Sequence, residues 1–376
     1  MRKINWKKVI GWGTAALVLI GIIGTNIYQM RDVKSDKTVI KIGVTLPLTG
    51  ALARLGSQTK KAIELRISEI PSDSKYHYQM IFEDDQLQPS KEFTNAQKLI
   101  NFNKVDVMIS GFSGGATAIA GLANQKKIVY WHFQWTDDIT KTSPYVFAYN
   151  QMPKDVASLW LKTAYDKGIR KIAIINNETH AGGEYVISAI KKLLPSYPDM
   201  QIVSIERVPL FGSDLRTTLL KMNSKKPEIY LSVLLSPTMD EFAEKMKEQG
   251  ILVPISSINR FEYAKNKELI EGNWAVGAND YNEEMLIHYQ EKYNEKVTTE
   301  MPSYAYDVTD ITVKTYENSE HKLTGEELAI ELMKMKEYHG GFGPVELDEN
   351  GVFHTPLIVG KIQGGKFVPL EKGEKK

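Results

Sequence analysis

From Val39 onward, short apolar runs alternate with longer stretches whose apolar positions recur every three to four residues, the rhythm of strands alternating with amphipathic helices. Val39 to Pro47 predicts a strand, and Gly56 to Ile70 a helix with Ala62, Ile63, Leu65 and Ile67 on its apolar side. Tyr76 to Glu83 reads as a strand and Pro89 to Phe102 as a helix, opened by a proline where a missing N–H costs nothing. Val105 to Ser110, Lys127 to Phe133 and Tyr145 to Tyr149 read as strands. A second series runs from Pro153: helix 153–167, strand 171–177, helix 183–194, strand 201–208, helix 214–222, strand 228–235, helix 238–249, then strands 254–259 and 273–279. Helical patterns near 283–294, 302–318 and 324–336 follow, and the C-terminal part breaks into short strands at the turns Asp348 to Gly351 and Gly364-Gly365. Repeated strand–helix alternation implies parallel sheets covered by helices on both faces, and 376 residues suffice for two such lobes.

The N-terminus departs from this pattern. No charged residue falls between Val9 and Met30, a run long enough to cross a bilayer, which needs about 20 apolar residues as a helix. Arg2, Lys3, Lys7 and Lys8 precede it, so the positive-inside rule keeps residues 1–8 in the cytoplasm and sends the remainder outside. The alternative is a cleaved signal peptide, although no A-x-A-like site follows Leu19. Residues 31–38 read as a polar tether.

Composition narrows the chemistry. Basic residues number 47 against 46 acids, and setting aside the four in the tail leaves 43 against 46, a balance that argues against a nucleic-acid partner. The absence of cysteine excludes disulfides, thiolate metal sites and a cysteine nucleophile. No metal or cofactor motif is evident. Gly111-Phe112-Ser113-Gly114-Gly115, between a strand and a helical pattern, spells the G-x-S-x-G of serine hydrolases, with Asp307 and then His339 or His354 in the required order. The upstream oxyanion segment of that class is missing, however. The same strand–turn–helix geometry can hold an anion on bare backbone N–H groups, with Ser113 as a hydrogen-bond donor beside Gly114 and Gly115.

The order and wording of several segments resemble the periplasmic solute-binding proteins of the branched-chain amino-acid transport type. These segments are Ile40 to Gly50 followed by Gly56, Glu83-Asp84-Asp85-Gln86 with Pro89 downstream, the 105–118 loop, Tyr304-Ala305-Tyr306-Asp307, and Gly343 to Asp348 before Asn350-Gly351. The resemblance implies two doubly wound α/β lobes of parallel sheet joined by a three-crossing hinge, preceded here by the N-terminal transmembrane helix. Crossings fall near 149–153, 277–281 and 340–344, giving lobe one as 39–150 plus 281–340 and lobe two as 151–280 plus 341–370. It further implies a monomer that is not an enzyme, uses no cofactor, and delivers a small-molecule ligand to the permease of an ABC transporter; a sensor working with a partner protein is the alternative.

Ligands of open α/β sheets lie beyond the C-terminal ends of the strands, which selects the candidate residues. On lobe one these are the 113–115 turn, then Gln134, Trp135 and Thr136, Thr136 matching a residue that the resembling family uses at the ligand's charged end. A tryptophan there supplies a flat wall or a cation–π face. Arg54 either reaches into the cleft or stays solvated. On lobe two they are Asn176, Asn177, Glu178 and His180, then Ser236, then Asn259, Arg260 and Glu262. The resemblance places Asn259 where the family has an acid for an ammonium group, with Glu262 a few residues later; His180 is a cleft-edge candidate. Asp84, Asp85 and Asp307 are expected to shape the lobe.

Overall fold

The computed structural model describes residues 37–111, 114–136, 138–178, 180–212, 214–262, 264–278 and 283–370. The expected tail 1–8, the span 9–30, nearly all of the tether, Ser113 and the far side of the second crossing lie outside the described residues. No helix among the described residues is long and apolar enough to cross a membrane.

The first sheet begins with β1 (Val39–Leu46), α1 (Ala53–Ser68), β2 (His77–Asp84), α2 (Pro89–Lys98), β3 (Val107–Ser110), α3 (Ala116–Lys126), β4 (Val129–His132) and β5 (Val146–Asn150). The second is built from α4 (Pro153–Asp166), β6 (Lys171–Asn177), α5 (Ala181–Leu193), β7 (Gln201–Val208), α6 (Leu215–Asn223), β8 (Ile229–Val233), α7 (Thr238–Glu248), β9 (Ile255–Ser257) and β10 (Trp274–Ala278). The chain then forms α8 (Glu283–Tyr293), α9 (Met301–Glu317) and α10 (Gly325–Lys334), followed by β11 (Glu337–Gly340), β12 (Gly343–Leu347), β13 (Val352–His354), β14 (Leu357–Gln363) and β15 (Lys366–Pro369). Strand order is β11-β12-β13-β5-β4-β3-β1-β2 in one sheet and β15-β14-β10-β9-β8-β6-β7 in the other.

Two expectations need correction. Neither sheet is wholly parallel: β11, β12 and β13 pair antiparallel with one another, as do β10, β14 and β15. Between neighbours in the chain the reason is connection length, since turns as short as Gly364-Gly365 can join only antiparallel strands. The third passage is also later than 340–344. That glycine-rich segment is a hairpin in which Gly340 pairs with Gly343, and β13 lies parallel to β5, so residues 343–354 belong with the first sheet and not with 357–369. Gly340 is needed there because a Cβ would stand 2.1 Å from the Tyr338 ring and 2.5 Å from Asp307 Oδ2.

Each sheet buries apolar side chains on both faces, and Tyr130 and Trp131 are wholly inside. In the second, Trp160 stacks on Trp274 at 5.6 Å between ring centroids while its indole N–H donates to Ser256. α9 is covered nearly all round; its buried Thr309, Thr312 and Thr315 satisfy their hydroxyls on carbonyls four residues back. Asp307 accepts from the Tyr149 hydroxyl at 2.7 Å and from Gly341 N–H, tying α9 to β5 and the hairpin.

Candidate functional site

The parallel strands of both sheets end in the same zone: Leu46, Ser110, His132 and Asn150 on one side, Asn177, Val233, Ser257 and Ala278 on the other. Asp84 and Asp85 shape the rim. Leu48 and Thr49 N–H and the Thr49 hydroxyl all donate to Asp84, and the Thr45 hydroxyl and Leu87 N–H donate to Asp85. Against the burial that would raise it, the Thr49 hydroxyl and the N–H groups of Gln86, Thr49 and Leu48 hold the Asp84 carboxyl below the usual carboxylate range.

After β3 the chain does not leave the whole turn open. Gly114 is exposed with φ of 85°, the left-handed region that suits glycine, but Gly115 is buried and its N–H donates to Glu92 Oε2 at 2.6 Å. A Cβ on Gly115 would stand 2.7 Å from that oxygen and 3.0 Å from Pro89 O. Gly115 is therefore glycine because α2 packs against it, and the expected cradle contracts to Gly114 and the first-turn amides of α3.

After β4 the residues are placed differently. His132 is wholly buried, which lowers its imidazole to about 3 and keeps it neutral. Its Nδ1 accepts from Gln134 N–H at 3.3 Å, so Nε2 carries the proton, and neither that N–H nor Gln134 Nε2 meets an acceptor among the described residues. Thr136 is buried and its Oγ1 accepts from Asp138 N–H. Trp135 is half-buried and leans across to the second sheet: its ring lies 6.3 Å from that of His180, and a Cβ on Gly182 would come within 3.5 Å of it.

His180 Nδ1 lies 3.0 Å from Val233 O, an atom that can only accept. The ring's N–H therefore points there, burial lowers its pKa, and Nε2 is left as a neutral acceptor beside Trp135. The same end of β8 leads to Ser236, whose hydroxyl is buried without a partner among the described residues. Asn177 joins the two loops by accepting from Leu235 N–H and donating toward Thr238.

Trp135 and His180 thus come together, with Gln134 and Thr136 beside Trp135 in the chain and Ser236 three residues beyond the carbonyl that His180 meets. Arg54 does not join them: it is exposed on the first turn of α1, and its charge acts on Tyr289 and Glu295. Asn259 is buried and turned back on its own strand, its Oδ1 taking the Ser257 hydroxyl. The hydrolase order also fails in space. Asp307 is occupied as described, His339 is exposed beside Glu337, and His354 bridges Asp155 and Asp348.

Residues that pattern did not single out form the floor. Gln151 Nε2 donates to Glu300 Oε1 at 2.7 Å, Glu300 N–H donates to Glu262 Oε2 at 3.2 Å, and Asn150 Nδ2 reaches back to Phe133 O at 2.6 Å. Burial pushes the Glu300 carboxyl up to about 7 even with the Arg260 guanidinium acting on it. Arg260 and Phe261 both take positive φ, and Gly277 makes room for Arg260, since a Cβ would lie 2.3 Å from its Cγ. The one sequence signal for Glu300 was its place two residues before Pro302 at a helix start.

Two α/β sheets whose strand ends face one another across a shared cleft define a bilobal small-molecule binding protein. Residues 39–366 match the model of the family described as periplasmic binding protein, and the chain belongs to that family. Three solved structures share the fold. One is a solute-binding protein of an ABC transporter from Rhodopseudomonas palustris in complex with 3,4-dihydroxybenzoic acid, at 21% identity and TM-score 0.78 over 88% of this chain and 96% of that one. Another is a leucine-binding protein from Thermotoga maritima, at 18% identity and TM-score 0.73 over 88% and 97%. The third is a branched-chain amino-acid transporter substrate-binding protein from Streptococcus pneumoniae in complex with isoleucine, at 17% and 0.75 over 88% and 98%. No curated protein matches the sequence. The family and these neighbours are binding proteins and not enzymes.

Proposed function

We propose that the chain captures a small organic acid or amino acid in the cleft between its sheets and delivers it to the permease of an ABC transporter. The contact of Trp135 with His180, one residue from each sheet, is the observation that carries this reading. Lobe one is 39–150 with 283–354 and lobe two 151–278 with 357–370, and the protein works as a monomer held at the outer membrane face by residues 9–30. A solute seated against Gly114, Gln134, Trp135 and Thr136 biases the open–closed equilibrium by the contacts it gains with His180 and Ser236 on closure, and by nothing else.

Thermal-shift screening with leucine, isoleucine, 4-hydroxybenzoate and 3,4-dihydroxybenzoate tests the reading, because a solute that binds only the native state raises the melting temperature. Trp135→Ala and Thr136→Ala are expected to weaken the solute so identified about tenfold, roughly 1.4 kcal/mol each, without unfolding the protein. Calorimetry giving wild-type affinity in both variants overturns this placement of the site.

A further inference from the structure

The floor of the cleft holds a concentration of buried oxygen atoms that the proposed function does not use. Glu300, at the start of α9, lies beside Gln151 of the first passage and Ala278 at the end of β10. Gln151 follows β5, Ala278 ends β10 and offers its backbone N–H to the Glu300 carboxyl, and Thr355 lies between β13 and β14. Tyr304, one turn along α9, lies within reach of both the Glu300 carboxyl and the Thr355 hydroxyl, close enough for each to act on the other but without the geometry of a hydrogen bond. All four side chains are at most 5% exposed. Yet Glu300 Oε2, Gln151 Oε1, Tyr304 OH and Thr355 Oγ1 have no partner at hydrogen-bonding geometry among the described residues. Buried polar atoms are seldom left so, and four together point to a molecule that completes them.

Their chemistry specifies which. The Gln151 amide oxygen can only accept, as can the Glu300 carboxyl once ionised, and the two hydroxyls can accept as well as donate. Among the described residues the charged groups nearby are Arg260 and Lys267 against Glu300 and Glu262, an even balance, so the preference for a donor comes from the unfilled acceptor atoms themselves. The floor adjoins the cleft, because Asn150 ties the Gln151 segment to Phe133, the residue directly before Gln134 and Trp135.

We propose that Glu300, Gln151, Tyr304 and Thr355 form the polar subsite of the cleft and receive an O–H or N–H donor of the solute, its hydroxyl or amino group. The inference rests on the cleft being the solute site. It also supplies the acid that Asn259, turned toward Ser257, does not.

Calorimetry with matched probes tests it: 4-hydroxybenzoate and 4-aminobenzoate against benzoate, and leucine against 4-methylpentanoate, which lacks only the amino group. The wild-type protein is expected to prefer the donor-bearing member of at least one set by tenfold or more, and the set that shows it tells hydroxyl from amino. Glu300→Gln should cut that preference to within about threefold. Thr355→Val, which changes no charge and keeps the shape, should lower it in the same direction and decides the matter should Glu300→Gln fold poorly. Equal binding of donor and donorless members overturns the subsite while leaving the cleft reading in place, as does a preference unchanged in a folded variant. No binding of any probe overturns both.

Discussion

Glu92 supports the loop that follows β3, and replacing it with glutamine isolates one electrostatic cost. Its Oε2 takes the Gly115 N–H, its side chain is wholly buried, and that burial pushes the carboxyl from the ordinary 4.5 up to about 7, with Asp85 adding to the rise and the Gly115 N–H and Ser110 hydroxyl opposing it. A carboxyl that titrates near 7 when folded and near 4.5 when unfolded holds its proton more tightly in the native state. The native state therefore loses stability as pH rises through that interval. At ~1.4 kcal/mol per pH unit, ionised Glu92 costs about 3 kcal/mol at pH 8 and about 1 kcal/mol at pH 5. Glutamine has the same shape, keeps a carbonyl for Gly115 and does not titrate. Glu92→Gln should thus raise the melting temperature more at pH 8 than at pH 5. The difference is about 2 kcal/mol, roughly 5 °C at the usual 2–4 °C per kcal/mol. Calorimetric melts of both proteins at the two pH values measure it, and whatever else the substitution changes cancels between them. A shift equal at both, or larger at pH 5, refutes the reasoning, because Glu92 would then carry the same charge in both states.

Other consequences follow from the same geometry. His354 lies between Asp155 of α4 and Asp348, whose carboxylates push its imidazole from 6.5 up to about 9, so its contribution is full below 6.5 and fades as pH rises through about 9. His354→Ala should lower the melting temperature clearly at pH 6 and much less at pH 10, which a pH series of circular-dichroism melts would show. Gly183→Ala should destabilise by about 1–3 kcal/mol, because its Cβ would lie 2.3 Å from Asn176 Oδ1 and force α5 away from β6. Gly121, in α3 with nothing within 4 Å of its would-be Cβ, is the contrasting case: Gly121→Ala should stabilise by about 0.5–1 kcal/mol, read from denaturant midpoints.

Local pattern carried most of the elements. The run Lys171 to Asn177 is apolar throughout because both faces of a central parallel strand are covered, and the structure places it there as β6. Pro89, Pro153 and Pro302 marked helix starts within a residue. Where the strands would end was equally legible, so Trp135, Thr136, His180 and Ser236 could be named as candidates from their positions after strands. Their surroundings could not: that Arg54 acts on Tyr289 of α8 depends on a neighbour remote in sequence, and the turn of Asn259 onto Ser257 is a choice of rotamer that apolar spacing does not record.

The sequence by itself determined which segments are strands and helices and that they alternate, because those properties follow from the spacing of apolar residues over a few turns. Only the tertiary structure decided that β11 to β13 complete the first sheet, that Gly115 answers to Glu92, and that Glu300 meets Gln151. Strand partnership and burial of charge are set by contacts between residues far apart in the chain, Gln151 and Glu300 among them, and no local period records them.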